Sequence, residues 1–312
     1  MRIAVIGAGG VGGYFGARLR AGGNDVTFVA RGAHLAAMRR SGLLVRGPLG
    51  EIRTPPGCAV GDPADLGPTD LVLVAVKLWD TEEVAARLRP LTEQGAYVLS
   101  LQNGVHKDDI LRRHLPAASV LGGTCFVSAV IEEPGVVGYR GTLGRLAFGP
   151  YEPGQEDIAR RLLDACRAAG VEADLSADVR RVIWEKFVFL VGLSGATASV
   201  RQPIGVILAH DRTRALLRDL MAETAAVARA SGVGLDEGFA DRQLAFCDTL
   251  PSGMTSSLHQ DLQRGNRLEL PWLSGGVADL AGPLGIPVPR NRAVADILAP
   301  YVHGTPAEPA AS

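Results

Sequence analysis

The chain begins Met1-Arg-Ile-Ala-Val-Ile-Gly7-Ala-Gly9-Gly10-Val-Gly12, and this stretch decides the fold of its first half. The apolar run Ile3–Ile6 predicts a buried parallel strand. Gly7, Gly9 and Gly12 follow as G-x-G-x-x-G, which is typical of the strand-to-helix turn of a dinucleotide site. Gly7 permits the tight turn, Gly9 lets the backbone approach a pyrophosphate, and Gly12 lets the helix pack on the strand.

A helical stretch from Val11 to Arg20 follows the glycines, which is the context that the motif requires. The amide groups at the start of that helix, and its dipole, favour a bound phosphate. The sequence therefore predicts cofactor-binding residues at Gly7, Ala8, Gly9, Gly10, Val11 and Gly12. The alternative is a glycine-rich turn that binds nothing.

The end of the second predicted strand, Val26–Val29, indicates which dinucleotide binds. An NAD site usually places Asp or Glu there to hold the ribose 2′-hydroxyl. This chain has Ala30-Arg31-Gly32 instead. Because a guanidinium can meet a 2′-phosphate with a planar fork of donors, Arg31 favours NADPH/NADP⁺ over NADH. An ordinary surface arginine is the alternative.

Composition describes an ordinary globular protein without a polyanionic partner. The chain has 312 residues, 47% hydrophobic and 21% charged, and its 32 Lys and Arg nearly balance 33 Asp and Glu. That balance gives no indication of a nucleic-acid or membrane partner. We expect a cytoplasmic protein, because no signal peptide precedes the first strand and the longest apolar run, Phe187–Leu193, is too short to span a membrane. The predicted helices in the second half of the chain have apolar faces, which are compatible with a homodimer.

The four cysteines are far apart and form no C-x-x-C pair: Cys58, Cys125, Cys166 and Cys247. This spacing predicts buried thiols in a reducing compartment, with neither disulfides nor a metal site.

Strand and helix patterns alternate in the first half, and only helices follow residue 176. This pattern predicts an α/β domain over residues 1–176, a helical domain over 177–303 and a disordered tail over 304–312. We expect a helix from Thr81 to Leu88 that Pro90 closes. Short strands separated by glycines are expected at Val120–Leu121, Phe126–Ile131, Val136–Arg140 and Arg145–Phe148.

Two polar residues follow predicted central strands of the sheet. Lys77 ends the apolar run Leu71–Val76, and Asn103 follows the strand Ala96–Leu101. Ligands of open parallel sheets lie beyond the carboxyl ends of the strands, so both residues are candidate cofactor contacts. A strand-ending lysine and a plain Asn-Gly turn are the alternatives.

The first helix of the second half carries a lysine in an apolar setting. Lys186 lies between Ile183-Trp184 and Phe187-Val188. A partly buried ammonium releases its proton more readily near neutral pH, which suits a general acid. Lys186, Leu190 and Ser194 are four residues apart and share one helical face. A lysine whose stem is buried and whose charge reaches solvent is the alternative.

A second polar group of residues comes late in the chain. Ser256 and Ser257 precede a predicted helix, where hydroxyls usually cap amide groups. Glu269 lies between Leu268 and Leu270, and a carboxylate in that apolar setting requires a cation or a hydroxyl as its partner. A surface helix charge is the alternative for Glu269.

Taken in order, these motifs resemble the ketopantoate reductase (2-dehydropantoate 2-reductase) family over nearly the whole chain. The matching pieces are Gly7-Ala-Gly9-Gly-Val-Gly12, Arg31, Val76-Lys77, Leu101-Gln-Asn103-Gly104, Trp184-Glu-Lys186, Ser256-Ser257 with Gln260-Asp261, and Glu269. The resemblance implies a Rossmann-like N-terminal domain, an all-helical C-terminal domain, NADPH as the hydride donor and a small 2-keto acid as the acceptor.

The resemblance also implies roles for individual residues. Lys186 resembles the catalytic lysine that protonates the new alkoxide, and Glu269 the carboxylate that engages the substrate hydroxyl. Ser257 resembles the serine that binds the substrate carboxylate. Lys77 and Asn103 resemble the pair near the nicotinamide, and Arg31 the 2′-phosphate anchor. The product would be pantoate, a step of pantothenate biosynthesis.

Two positions depart from the family pattern. Leu190 and Ser194 stand where ketopantoate reductases commonly have asparagines that hydrogen-bond the substrate. A lost hydrogen bond costs about 1–3 kcal/mol, so a more apolar 2-keto acid suits Leu190 better. A 2-hydroxy acid or opine dehydrogenase and a non-catalytic NADP(H) sensor stay open as further alternatives.

Overall fold

A computed structural model describes residues 1–306 of the chain. The chain divides into two compact units, Met1–Ile183 and a second that begins at Trp184. The first unit is an α/β domain and the second is helical, which confirms the predicted fold class. The domain roles stay predictions, and residues 307–312 of the expected tail lie outside the described residues.

Among residues 1–306, the strands all lie in the first unit. They are β1 (Arg2–Ile6), β2 (Asp25–Val29), β3 (Leu44–Gly47), β4 (Gly50–Arg53), β5 (Ala59–Val60), β6 (Leu71–Val74), β7 (Tyr97–Ser100), β8 (Val120–Glu133), β9 (Val136–Gly149) and β10 (Glu172–Leu175). The helices of that unit are α1 (Gly10–Ala21), α2 (Gly32–Ser41), α3 (Thr81–Glu93), α4 (Lys107–His114) and α5 (Glu156–Ala168).

The helices from the unit boundary onward are α6 (Val179–Val200), α7 (Ile204–Ala209), α8 (Asp211–Ala230), α9 (Phe239–Cys247), α10 (Ser257–Gln263), α11 (Ser274–Leu284) and α12 (Pro289–Leu298). Among them, α6 is long and apolar enough to meet a length-and-composition criterion for a membrane span. Of that apolar window, 67% is buried inside the protein, as is typical of a core helix.

The sheet places β1 at the centre of a parallel block. Its strand order is β4-β3-β9-β8-β7-β6-β1-β2-β5, and β10 pairs with β9. The strands β2, β1, β6 and β7 run parallel, with Ile6 opposite Val29 on one side and Val74 on the other. Their carboxyl ends therefore meet at one edge of the sheet, as in doubly wound α/β proteins.

Both faces of this block are buried, because side chains alternate along each strand. Ile3 and Val5 enter the core cluster that contains Phe15 of α1. Ala4 and Ile6 enter the cluster on the opposite face, which contains Leu88 of α3. A central strand covered on both sides has to be continuously apolar, as the sequence predicted for Ile3–Ile6.

The prediction of four short strands between residues 120 and 149 is wrong. The chain forms one long antiparallel hairpin of β8 and β9. Gly122 and Gly123 do not break β8, because close packing requires them: a Cβ on Gly123 would lie 2.4 Å from Leu99 Cδ1. The register shifts between Val127 and Ser128, so the Gly141 segment forms a bulge within β9.

Pro90 does not close α3, which continues to Glu93. A proline inside a helix removes the hydrogen bond to the carbonyl of residue i−4, here Ala86. Pro90 and Ala86 are both exposed, so water can hydrate that carbonyl. Pro90 is therefore tolerated in the last turn of α3, and the prediction that it ends the helix is wrong.

Candidate active site

Four predicted cofactor residues follow four neighbouring strands at one edge of the sheet. Asn103 follows β7, Lys77 follows β6, Gly7 follows β1 and Arg31 follows β2, in the order of the strands themselves. Adjacent strands lie about 4.8 Å apart, so β7 and β2 are separated by roughly 14 Å. A single small ligand cannot reach both ends of this row, whereas an extended dinucleotide can.

The glycine turn fits a dinucleotide by its packing. Gly7 has a φ of +94°, which disfavours any residue with a Cβ. A Cβ on Gly12 would lie 2.1 Å from the Gly7 carbonyl oxygen, so the start of α1 lies directly against β1. A Cβ on Gly9 would meet nothing within 4 Å, which leaves open space beside the first amides of α1. That space, next to helix amides without helical partners, suits a pyrophosphate.

A pocket of about 260 Å³ opens beside this turn. Its wall includes Gly7, Ala8, Gly9, Arg31 and His34. The structure thus brings the glycine turn and Arg31 to one pocket.

Arg31 has a carboxylate partner that the sequence did not reveal. Its side chain is 72% exposed, and its Nη2 lies 2.9 Å from Oδ2 of Asp80. An exposed ion pair contributes at most about 1 kcal/mol, so a dianionic phosphate can exchange with the carboxylate. Asp80 lies in the segment after β6, and no sequence pattern near Arg31 predicts this ion pair.

Lys77 and Asn103 lie on two segments that a buried glutamine holds together. Lys77 is exposed, with its Nζ 5.7 Å from the ring centre of Trp79. Gln102, beside Asn103, is 5% exposed and donates to the Val76 carbonyl at 3.0 Å. The same amide group donates to Thr81 Oγ1 at 2.8 Å. Gln102 therefore fixes the segment that precedes Lys77 relative to the one that carries Asn103.

The predicted acid lies on α6 in the second unit. Lys186 and Leu190 are half-buried on the face that they share with Ser194. Ser194 is fully buried, and its Oγ has no hydrogen-bond partner among residues 1–306. The aromatic rings of Trp184 and Phe187 pack edge to face at 5.6 Å next to the lysine.

The two late serines have different environments. Ser256 caps α10, accepting from the His259 amide at 3.1 Å, and its Oγ lies 2.8 Å from Thr197 Oγ1. Because Thr197 donates to the Leu193 carbonyl, Ser256 donates to Thr197 and is fully used in the fold. Ser257 begins the helix and is exposed, so its hydroxyl can face a ligand. Glu269 is half-buried immediately before the turn Leu270–Trp272.

Both parts of the chain match sequence profiles of one family. Residues 3–153 match the profile described as "Ketopantoate reductase PanE/ApbA", and residues 178–302 match "Ketopantoate reductase PanE/ApbA C terminal". The chain belongs to the ketopantoate reductase family. The resemblance drawn from the sequence is therefore confirmed, and the protein is an oxidoreductase acting on CH–OH groups.

Relatives of this ketopantoate reductase family member cover nearly its full length. The 2-dehydropantoate 2-reductase of Halobacterium salinarum is 33% identical, over 96% of this chain and 98% of that protein. The crystal structure of a PanE/ApbA family ketopantoate reductase from Ralstonia eutropha JMP134 is 34% identical, with a TM-score of 0.87 over 97% of this chain and 98% of that one.

A third structure shows how widely the fold is shared. The ternary structure of D-mandelate dehydrogenase with NADH and anilino(oxo)acetate has a TM-score of 0.87 over 97% of this chain and 98% of that one. Its sequence identity is 22%, so this likeness shows the fold alone.

Proposed function

We propose that this family member is an NADPH-dependent reductase that converts a small 2-keto acid to the 2-hydroxy acid. The observation that carries the proposal is the row of Asn103, Lys77, Gly7 and Arg31 along one sheet edge in a chain of this family. The Halobacterium salinarum relative supports 2-dehydropantoate as the first substrate to test. The product would then be pantoate, a precursor of pantothenate.

The first unit binds and orients the cofactor. The amides of Gly9, Gly10 and Val11 at the start of α1 would hold the pyrophosphate, and Arg31 would hold the 2′-phosphate after exchange with Asp80. Lys77 and Asn103 would contact the nicotinamide end, because they follow the strands farthest from Arg31 in the row. When bound, the nicotinamide supplies a hydride to the keto carbon.

The second unit supplies the proton and the contacts to the acid. Lys186 stabilises the negative charge that develops on the keto oxygen and donates a proton to it. Glu269 orients that ammonium or the new hydroxyl. Ser257 holds the substrate carboxylate, and Ser194 assists, because its buried Oγ lacks a partner in the described protein.

Leu190 favours a second candidate substrate class. It is half-buried one turn after Lys186 and offers neither a donor nor an acceptor. A substrate hydroxyl beside it would lose a hydrogen bond worth about 1–3 kcal/mol. A 2-keto acid with an apolar side chain would not incur that loss.

A panel of 2-keto acids tests cofactor, reaction and substrate together. Each acid is offered with NADPH and with NADH, and the loss of nicotinamide absorbance is followed. Turnover of 2-dehydropantoate or of an apolar 2-keto acid with NADPH supports the proposal and separates the two substrates. Oxidation of hydroxy acids or opines alone would assign a dehydrogenase instead. Cofactor binding without any turnover would assign a sensor.

The cysteine thiols support our proposal that the enzyme works in a reducing compartment. The four cysteines are all buried in the structure, as the sequence predicted: Cys58, Cys125, Cys166 and Cys247. Burial raises the pKa of Cys166 to about 12 and that of Cys247 to about 11, so these thiols are inert. Buried thiols suit a reducing cytosol, and we propose that compartment for the enzyme.

A further inference from the structure

His34 joins three separate segments of the first unit beside the glycine turn. It lies in the first turn of α2, its ring is half-buried, and it lines the 260 Å³ pocket. Its Nε2 lies 2.8 Å from the carbonyl oxygen of Ala8, within the glycine turn. Its Nδ1 lies 3.1 Å from the amide nitrogen of Gly135, at the tip of the β8–β9 hairpin.

These two partners determine the protonation state of the ring. The Ala8 carbonyl can only accept, so Nε2 carries the hydrogen and donates. The Gly135 amide can only donate, so Nδ1 is unprotonated and accepts. One neutral tautomer satisfies both contacts. Protonation of Nδ1 would set two N–H groups against each other and break the contact with the hairpin.

The bond to Ala8 fixes a peptide group that faces the cofactor site. In a trans peptide the carbonyl and the following amide point in opposite directions, so holding the Ala8 oxygen also aims the Gly9 amide. The Ala8 amide is held as well, since it donates to the Val29 carbonyl at 3.3 Å. Gly9 has no Cβ to resist rotation of that peptide group, so the histidine supplies a restraint that the glycine lacks.

We propose that His34 is a positioning residue for the dinucleotide. Its ring holds the Ala8–Gly9 peptide so that the Gly9 amide points at the pyrophosphate. This inference rests on the proposed function only in requiring that the pocket bind a dinucleotide. It does not depend on the substrate or on turnover.

Burial, rather than a neighbouring charge, is the main influence on the pKa of His34. Burial lowers the pKa of His34 from its ordinary 6.5, and the bond to Ala8 opposes that shift. The charged groups of the pocket wall, and those just before the hairpin tip, are Arg31, Asp80, Glu83, Arg87, Glu132 and Glu133. Arg31 pairs with Asp80, Arg87 with Asp62 and Glu83, and Glu132 with Arg46.

Protonation would add a hydrogen at Nδ1 and leave the Nε2–H bond to Ala8 in place. The contact that positions the Ala8–Gly9 peptide therefore does not depend on the charge of the ring. The 2′-phosphate also titrates, near pH ~6, so the wild type has to be compared with variants on the same ligand.

Two amide variants separate the contacts of the ring. His34→Gln reaches the position of Nε2 and can donate to Ala8, but it does not titrate. His34→Asn is one methylene shorter and reaches only the position of Nδ1, so it keeps Gly135 as a partner and loses Ala8. His34→Ala removes both contacts. His114→Gln, in the last turn of α4, is the matched histidine control.

The dissociation constant of NADP⁺ is measured by calorimetry between about pH 5 and about pH 8. We expect His34→Asn and His34→Ala to bind roughly tenfold more weakly than wild type at pH ~8, and His34→Gln within about threefold of it. On acidification the wild type and His34→Gln should stay within about threefold of each other, because both keep a donor to the Ala8 carbonyl. His114→Gln should follow the wild type throughout.

Several results would overturn the inference. Equal affinities for the Gln and Asn variants would show that the Ala8 contact does not position the cofactor. Should the variants fail to fold, nitrogen NMR of the wild-type imidazole decides, because an Nδ1–H tautomer at neutral pH contradicts the assignment. A wild type that binds no dinucleotide would instead refute the proposed function.

Discussion

Replacing Lys107 by Met should destabilise the first unit through a buried ion pair behind the Asn103 segment. Lys107 is 0% and Asp108 3% exposed, and the lysine Nζ lies 2.7 Å from Asp108 Oδ1. The other carboxylate oxygen accepts from Tyr151 Oη at 2.8 Å. Lys107→Met keeps a side chain of similar length but removes the ammonium group. The buried Asp108 carboxylate is then left with Tyr151 as a neutral partner. Removing one member of such a pair costs about 3–5 kcal/mol.

This cost should depend on pH in a defined direction. Burial raises the pKa of Asp108, while Lys107 and the bond from Tyr151 lower it. Without Lys107 the carboxyl holds its proton to a higher pH in the folded state than in the unfolded state. Stability is then greatest below the unfolded pKa and declines as the pH rises through the folded one, by about 1.4 kcal/mol per unit. The penalty of Lys107→Met should therefore shrink from pH ~8 to pH ~5.

Hydrogen exchange followed by mass spectrometry measures the opening free energy of α4 directly. The control is the double variant Lys107→Met/Asp108→Asn, whose neutral amide oxygen still accepts from Tyr151 and needs no counter-charge. We expect the double variant to recover at least half of the loss. A penalty below about 1 kcal/mol that does not vary with pH, or a double variant no better than the single one, would refute the reasoning.

Three further predictions concern the proposed site. Lys186→Ala should lower kcat by at least ~10²-fold, the scale of general acid catalysis, with NADPH binding unchanged; near-wild-type turnover would reject the role. Arg31→Ala should raise KM for NADPH roughly tenfold and leave that for NADH nearly unchanged, whereas equal losses would count against a 2′-phosphate anchor. Leu190→Asn should shift kcat/KM roughly tenfold towards 2-dehydropantoate relative to an apolar 2-keto acid, and an unchanged ratio would remove Leu190 from the substrate site.

Local sequence patterns were sufficient to predict the strands and the turn that position the candidate site. A buried strand, a glycine turn and a helix follow each other in the first residues, and each glycine has the packing position that its spacing predicts. The ends of β6 and β7 could also be predicted, because continuous apolar runs are typical of central strands. Lys77 and Asn103 could therefore be placed at one sheet edge from the sequence alone.

The contacts that the sequence did not reveal join residues far apart in the chain. Asp80 meets Arg31 across 49 positions, and Gly135 meets His34 across 101. No periodicity encodes such pairs, since they depend on which strands become neighbours. The only local signal for His34 was its position three residues after Arg31 in the same strand-to-helix turn. Gly123 of β8 led to a wrong prediction for a different reason. Its missing side chain is required for close packing against Leu99, but in the sequence it has the appearance of a turn glycine.

In the proposed function the two units would recognise their ligands by different means. The first unit would hold the pyrophosphate through backbone amides and glycine packing, which persist as long as the fold persists. The second presents side chains along one face of α6, where single substitutions such as Leu190 change hydrogen bonding without moving the helix. The chain is 33% identical to a 2-dehydropantoate 2-reductase, and we expect its choice of substrate to depend on a few side chains one and two turns from Lys186.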